Sequence, residues 1–303
     1  MPELPEVQTI VDDLNKKIKG ETIAGFWTDW KKSIKMPAEK PASSADKFAR
    51  EIKGRKILNA SRIGKNIFLN LSGGKTIYIH LKMTGHLLVK SQNQRTPPPP
   101  PPLAKEGKTK EKDYFSEKVN QYIHHIFCLK SGRTLEFSDL RKFGKIILED
   151  TEKISAIKEI KSLGVDAMSK EFTFEKFDGI LDGRKTKIKL LLTDQGKIAG
   201  IGNIYASEIL FEAGILPIRP ADEITSEEKK KLYKSIKTVL AKAIKLRGTS
   251  DSDYRDTAGA PGRFQEVLKV YRRASKKCPK CGTIVKRITM GQRGTFFCPV
   301  CQK

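Results

Sequence analysis

The stretch Asn-Ile-Tyr-Ala-Ser-Glu-Ile-Leu-Phe-Glu-Ala-Gly at 203–214, followed by a second apolar-periodic run from Thr225 to Gly248, decides how the latter half of this chain folds. Asn203 stands where an N-cap would, ahead of Ile209, Leu210 and Ala213 at helical spacing, and Gly214 supplies the stop. Thr225 with Glu228 three residues on makes a capping box, and Leu232, Ile236, Val239, Leu240 and Ile244 form one apolar face that ends at Gly248. Two helices joined by a Pro-containing turn form a relative of the helix-turn-helix. The region 249–264, with Gly259, Pro261 and Gly262, reads as a loop.

Upstream of about residue 151 the periodicity changes. Residues 66–71, 76–81, 122–129 and 145–148 read as strands, with Ser131-Gly132 at a hairpin turn. An amphipathic helix from Pro5 to Lys19, carrying Val7, Ile10, Val11, Leu14 and Ile18 and stopped by Gly20, precedes them. Between two strands, Pro97 to Pro102 and the Lys-rich 104–112 have a composition that packs no core and implies an extended surface loop. Cys128 reads as a buried strand thiol.

Downstream, Cys278-x-x-Cys281, sixteen residues, and Cys298-x-x-Cys301 have the spacing of a four-thiolate zinc site. The segment 289–296 between the pairs reads as a hairpin tip that presents Arg293. The expected division is 1–150, mainly β, with an insertion at 91–118; 151–266, helical, including the loop 249–264; and a finger at 267–303.

Charge narrows the class of partner. The chain has 303 residues with 59 Lys+Arg against 35 Asp+Glu, a formal +24 spread over nearly its whole length, which suits a phosphate-backbone binder. No stretch approaches the ~20 apolar residues of a membrane span, and no charged segment followed by an apolar run opens the chain. A cytoplasmic or nucleoid location and no membrane partner are expected.

The opening Met1-Pro2-Glu3-Leu4-Pro5-Glu6-Val7 carries specific chemistry. Removing Met1 exposes a secondary amine on Pro2 whose pKa lies near the α-amino range of roughly 8, so part of it is unprotonated at neutral pH. Attack of that amine on a sugar C1′ gives an iminium, an electron sink for eliminating the sugar phosphates. Glu3 stands beside it as a proton donor. Taken alone, Pro2 and Pro5 equally fit a helix start, with Glu3 and Glu6 matching its dipole.

Five further blocks decide between these readings: Arg62-Ile63-Gly64-Lys65, His80-Leu81-Lys82-Met83-Thr84-Gly85, Asp139-Leu140-Arg141-Lys142-Phe143-Gly144, Ala199 through Glu208, and the four cysteines. Together with the opening heptapeptide they resemble the bacterial-type formamidopyrimidine-DNA glycosylases, in that family's order and over almost the full length. The resemblance implies an α+β multidomain fold: an N-terminal β-sandwich with flanking helices, a helix-two-turn-helix region and a zinc finger, with DNA in the cleft between. It implies Pro2 as Schiff-base nucleophile, Glu3 as general acid, Glu6 as support of the active-site helix, and Lys65 at a phosphate near the sugar. Lys189, Asn203 and Arg293 would grip the phosphates flanking the lesion. Met83, Arg141 and Phe143 would fill the void left by an extruded base.

The activity implied is excision of oxidised purines (8-oxoguanine and formamidopyrimidines) from damaged double-stranded DNA, then β,δ-elimination. One structural zinc, no small-molecule cofactor and a monomer complete the expectation. The alternatives are an endonuclease VIII-like enzyme for oxidised pyrimidines, against which Leu4 argues because Gly is usual there, and a non-catalytic damaged-DNA binder, which has no chemical need for Pro2, Glu3 and Lys65 together. Two departures from the family pattern stand out: Leu140 where many relatives have Pro, and Arg272 in Val-Tyr-Arg-Arg where Gly is usual.

Overall fold

A computed structural model describes residues 1–36, 44–91 and 113–303. The polyproline and Lys-rich stretch expected to form a surface loop therefore lies outside the described residues. Helix α1 (Leu4–Lys17) opens the chain, followed by β1 (Ile23–Thr28), β2 (Ile34–Lys35) and α2 (Ser44–Ile52). Strands β3 (Ile57–Ile63), β4 (Asn66–Leu71), β5 (Lys75–His80), β6 (His86–Lys90), β7 (Ile123–Leu129), β8 (Thr134–Ser138) and β9 (Lys145–Asp150) complete the first half. They form two sheets, in the orders β1-β7-β8-β6 and β2-β9-β5-β4-β3. Ile67, Leu69, Ile77 and Ile79 from one sheet and Leu87, Phe127, Leu135 and Phe137 from the other meet in one core, which Val7, Ile10, Val11 and Leu14 of α1 also enter. Each such side chain contributes roughly 2 kcal/mol of burial.

The second half contains α3 (Lys158–Lys161), β10 (Val165–Asp166), α4 (Phe174–Leu181), α5 (Ile188–Thr193), β11 (Ile198–Ala199), α6 (Asn203–Ala213) and α7 (Ser226–Lys245). Its core gathers Phe172, Phe177, Tyr205, Ile209, Leu210, Leu232, Ile236 and Leu240. The expected capping box at Thr225 and Glu228 is present. The finger is a hairpin of β12 (Lys286–Met290) and β13 (Arg293–Phe297), turned at Gly291-Gln292, with a small core of Val270, Val285, Phe296 and Cys298 against Phe211 of α6. Cys128 lies on β7 as expected but is half-buried rather than buried.

One sequence expectation is corrected at the helix that positions the site. The N-cap of α6 is Gly202, not Asn203, which is the first helical residue. No side chain of α6 satisfies its first amides; Glu3, 199 residues away in sequence, does so from α1. That contact needs a glycine, because a Cβ at position 202 would overlap the Glu3 carboxylate. Gly200 is equally constrained: its φ is +108° and a Cβ there would sit 2.9 Å from Leu4 Cβ. Leu4 also donates its backbone N–H to Gly200 O at 3.1 Å, and its side chain packs into the helical core rather than the sandwich. The Arg62–Asp166 pair, 2.5 Å and buried on both sides, makes a second connection between the halves.

Gly202→Ala is expected to destabilise the protein by about 1–3 kcal/mol in chemical denaturation, since neither backbone nor carboxylate has room to yield. An unchanged midpoint would show that the α1–α6 contact is looser than described.

Candidate active site

The first turn of α1 carries both carboxylates of the opening motif, and both are buried. Glu3 is the N-cap of α1, and Glu6 at N3 accepts its backbone N–H at 2.7 Å, so the two form a capping box. The Glu3 side chain faces the start of α6, where Gly202 N donates to Oε2 at 2.8 Å, Ile204 N to Oε1 at 3.0 Å and Tyr205 N to Oε2 at 3.3 Å. These amides, with the Glu6 N–H of the capping box, fix the carboxylate in place. The anion at this helix N-terminus is thus the protein's own.

Glu6 is the hub behind it. Oε1 accepts from Tyr205 Oη at 2.5 Å and from Thr249 N, the first residue of the 249–264 loop, at 2.7 Å. Burial, followed by the charge of Glu3, pushes its carboxyl up to about 7 against the pull of these hydrogen bonds. The sequence offers no signal for Tyr205 or Thr249 as its partners, because both lie more than 190 residues away.

Lys65, Lys189, Asn203 and Arg293 converge on one side of this centre. Lys65 Nζ is buried and donates to Ile201 O at 3.1 Å. Lys189 Nζ donates to Asn203 Oδ1 and Thr295 Oγ1, each at 2.6 Å, while Asn203 Nδ2 donates to Gly294 O at 3.1 Å. Asn203 thus ties α5 and the finger hairpin to the start of α6 instead of capping it. Burial lowers Lys65 below the usual lysine range and brings Lys189 down to about 8; the charge of Arg293 works in the same direction and Glu3 opposes it. Arg293 itself is exposed at the start of β13. An arriving phosphate would offset the mutual repulsion of these cations.

Met83, Arg141 and Phe143 form an exposed group on the sandwich. Met83 and Phe143 are 43% and 51% exposed, which overturns the core placement their composition alone would suggest. The Arg141 guanidinium lies 4.7 Å from the Phe143 ring centroid and 3.1 Å from Met83 Sδ. Buried Asp139 organises their loop by accepting from Arg141 N, Phe143 N and Gly144 N at 3.2, 2.9 and 2.7 Å, and from the Thr84 hydroxyl. Leu140, the Pro-to-Leu departure, is exposed and takes no part in that network.

Two cavities meet at Met1. One, about 210 Å³, is bordered by Lys65, Lys189, Asn203 and Arg293; the other, about 370 Å³, by Glu3, Met83, Thr249, Tyr254, Tyr271 and Arg272. Met1 lines both, and Pro2 is buried beneath it as a tertiary amide. A larger cavity, about 960 Å³ and lined by Gln8, Asp12, Arg62, Asp166 and Arg184, holds none of the expected catalytic side chains.

The four cysteines satisfy the demands of zinc. Their Sγ atoms all lie within 4.8 Å of one another, with Cys281–Cys298 at 3.5 Å and Cys278–Cys301 at 3.9 Å. Tetrahedral zinc with Zn–S of about 2.3 Å requires sulfurs about 3.8 Å apart. One structural zinc belongs here, held by Cys278, Cys281, Cys298 and Cys301, and it fixes the hairpin that carries Arg293.

Comparison with known proteins agrees with this geometry. Residues 1–146 match the formamidopyrimidine-DNA glycosylase N-terminal domain, 163–254 the formamidopyrimidine-DNA glycosylase H2TH domain, and 275–303 the zinc finger found in FPG and IleRS. The chain is 38% identical to the formamidopyrimidine-DNA glycosylase of Pelotomaculum thermopropionicum, over 100% of this chain and 99% of the relative. It is 37% identical to that of Heliobacterium modesticaldum, over 100% of each. Its fold is similar to that of Lactococcus lactis Fpg in complex with DNA containing an abasic site, with a TM-score of 0.81 and 28% identity over 99% of each chain. It is also similar to the same organism's Fpg in complex with Fapy-dG DNA, with a TM-score of 0.80 and 28% identity over 99% of this chain and 100% of that one.

The Glu6 environment gives a pH signature. Its carboxyl moves from an ordinary 4.5 to about 7 on folding, so between those values the folded chain keeps a proton that the unfolded chain has released. This contribution is full below pH ~4.5, declines as pH rises through 7, and amounts to roughly 3 kcal/mol. Denaturation of wild type and Glu6→Gln at pH 5 and pH 8 should show the decline shrinking by about that amount in the variant, whatever its absolute stability. Equal slopes would rule out a proton on Glu6 in this range.

Proposed function

This chain belongs to the formamidopyrimidine-DNA glycosylases, enzymes of base excision repair, and from that membership we propose that it excises oxidised purines through an imine on Pro2 and then cleaves the strand. What supports this reading is that Met1 lines both cavities, so that its removal would open the buried Pro2 nitrogen to their junction, next to Glu3 in sequence and beside the basin of Lys65, Lys189 and Arg293. The basin holds the phosphates around the damaged nucleotide, and the 370 Å³ cavity receives the extruded base. Met83, Arg141 and Phe143 enter the stack in its place.

The chemistry begins once Met1 is removed. The Pro2 nitrogen attacks C1′ as the bond from C1′ to the base breaks; the Glu3 carboxylate takes the proton that this nitrogen loses and delivers it to the departing base or to O4′, and opening of the C1′–O4′ bond forms the iminium. The positively charged iminium acidifies C2′–H. Loss of that proton expels the 3′ phosphate, a second elimination expels the 5′ phosphate, and water releases the sugar fragment and restores the amine. Zinc holds the finger in place and has no assigned part in these steps. The proposed organisation is a sandwich domain at 1–150, a helical domain at 151–266 and a finger at 267–303, acting as a monomer in the bacterial cytoplasm on nucleoid DNA.

Borohydride reduction during incubation with an 8-oxoguanine duplex is expected to cross-link the Met1-processed protein to DNA, while protein retaining Met1 gives no cross-link. Binding without trapping by the processed form would leave a damage-binding protein. Faster cleavage of a thymine glycol duplex than of the 8-oxoguanine duplex would favour the pyrimidine-directed alternative.

A further inference from the structure

Arg272, the residue that replaces the usual Gly, occupies a left-handed backbone conformation with φ +54°. Side chains rarely adopt that region, so the position is strained for any residue but glycine. The strain is imposed from one side by Glu208 of α6, whose buried carboxylate accepts from Lys269 N, Val270 N and Tyr271 N at 2.8, 3.0 and 2.8 Å and clamps the preceding residues. On the other side Arg272 reaches across the mouth of the 370 Å³ cavity. Its Nη1 lies 2.9 Å from Asp251 Oδ1 and donates to Asp251 O at 3.4 Å. Both residues line that cavity together with Glu3.

Asp251 lies just beyond the anchored start of the 249–264 loop. Thr249 N is held by Glu6 and Ser250 N by Gln265 Oε1 at 3.0 Å. Beyond these anchors Arg272 ties the loop to the segment that leads into the finger.

We propose that Arg272 and Asp251 form an ionic latch that closes the 249–264 loop over the substrate cavity, making Arg272 a positioning residue for selection of the extruded base. This rests on reading that cavity as the base pocket. The latch joins the loop, the finger-proximal segment and α6 into one wall around Glu3. Being half exposed to solvent, it weakens as salt rises.

The test uses zinc-loaded, Met1-processed protein. In Arg272→Gly, amide hydrogen exchange at 250–254 in the absence of DNA should rise about two- to five-fold, without a fall in Tm because glycine relieves the backbone. KM for an 8-oxoguanine duplex should rise by a similar factor while kcat is preserved. Asp251→Asn should behave alike, the double variant should be no worse than either single one, and Arg272→Lys should recover part of the protection. Unchanged exchange in the single variants, or additive effects in the double, would overturn the latch while leaving the glycosylase reading intact. Faster exchange in a protein whose wild type excises nothing would instead preserve the latch and remove the glycosylase reading.

Discussion

The Glu3 carboxylate, held by the first amides of α6, is the contact on which the rest of this structure depends. It joins an N-terminal helix embedded in a sandwich to a helix at the centre of the other half. An acidic group at a helix N-terminus is favourable on its own account, because it satisfies orphan donors and the helix dipole. Here the same group stands beside the nitrogen assigned as nucleophile. Fold and chemistry therefore share an atom set, and Gly200 and Gly202 are required by both.

From that contact the site extends along α6. Asn203 reaches Lys189 and the finger backbone at Gly294, Tyr205 reaches Glu6, and Glu208 clamps the residues before Arg272. The helix thus positions the zinc-braced hairpin, the active-site helix and the cavity wall together. Burying Glu3, Glu6, Lys65 and Lys189 within one centre costs stability that an apolar core would not. Such clusters are expected where a polyanion and proton transfer must be accommodated.

Much of this was legible in the sequence, for identifiable reasons. The capping box at Thr225, strand β4 and the paired cysteines follow from local patterns, and the structure contains each of them. Strand β6 was not legible, because it is buried on both faces and shows no alternation; β3 was hidden by its polar residues. Asn203 misled as an N-cap because the true cap is a glycine served by a distant carboxylate. Local sequence holds no trace of a partner 199 residues away. Met83 and Phe143 look like core residues by type, and only their motif context identified them as outward-facing. Arg272 was visible as a departure, but its partner Asp251 and its left-handed backbone emerged only from the fold.

The claim that Glu3 is at once joint and proton donor is tested most directly by comparing two substrates with Glu3→Gln. Excision of an intact 8-oxoguanine should fall by ~10²–10⁴-fold, whereas cleavage of a preformed abasic duplex, from which the base has already gone, should fall far less. Equal losses on both substrates would reduce Glu3 to a structural contact, and no loss on either would contradict the account.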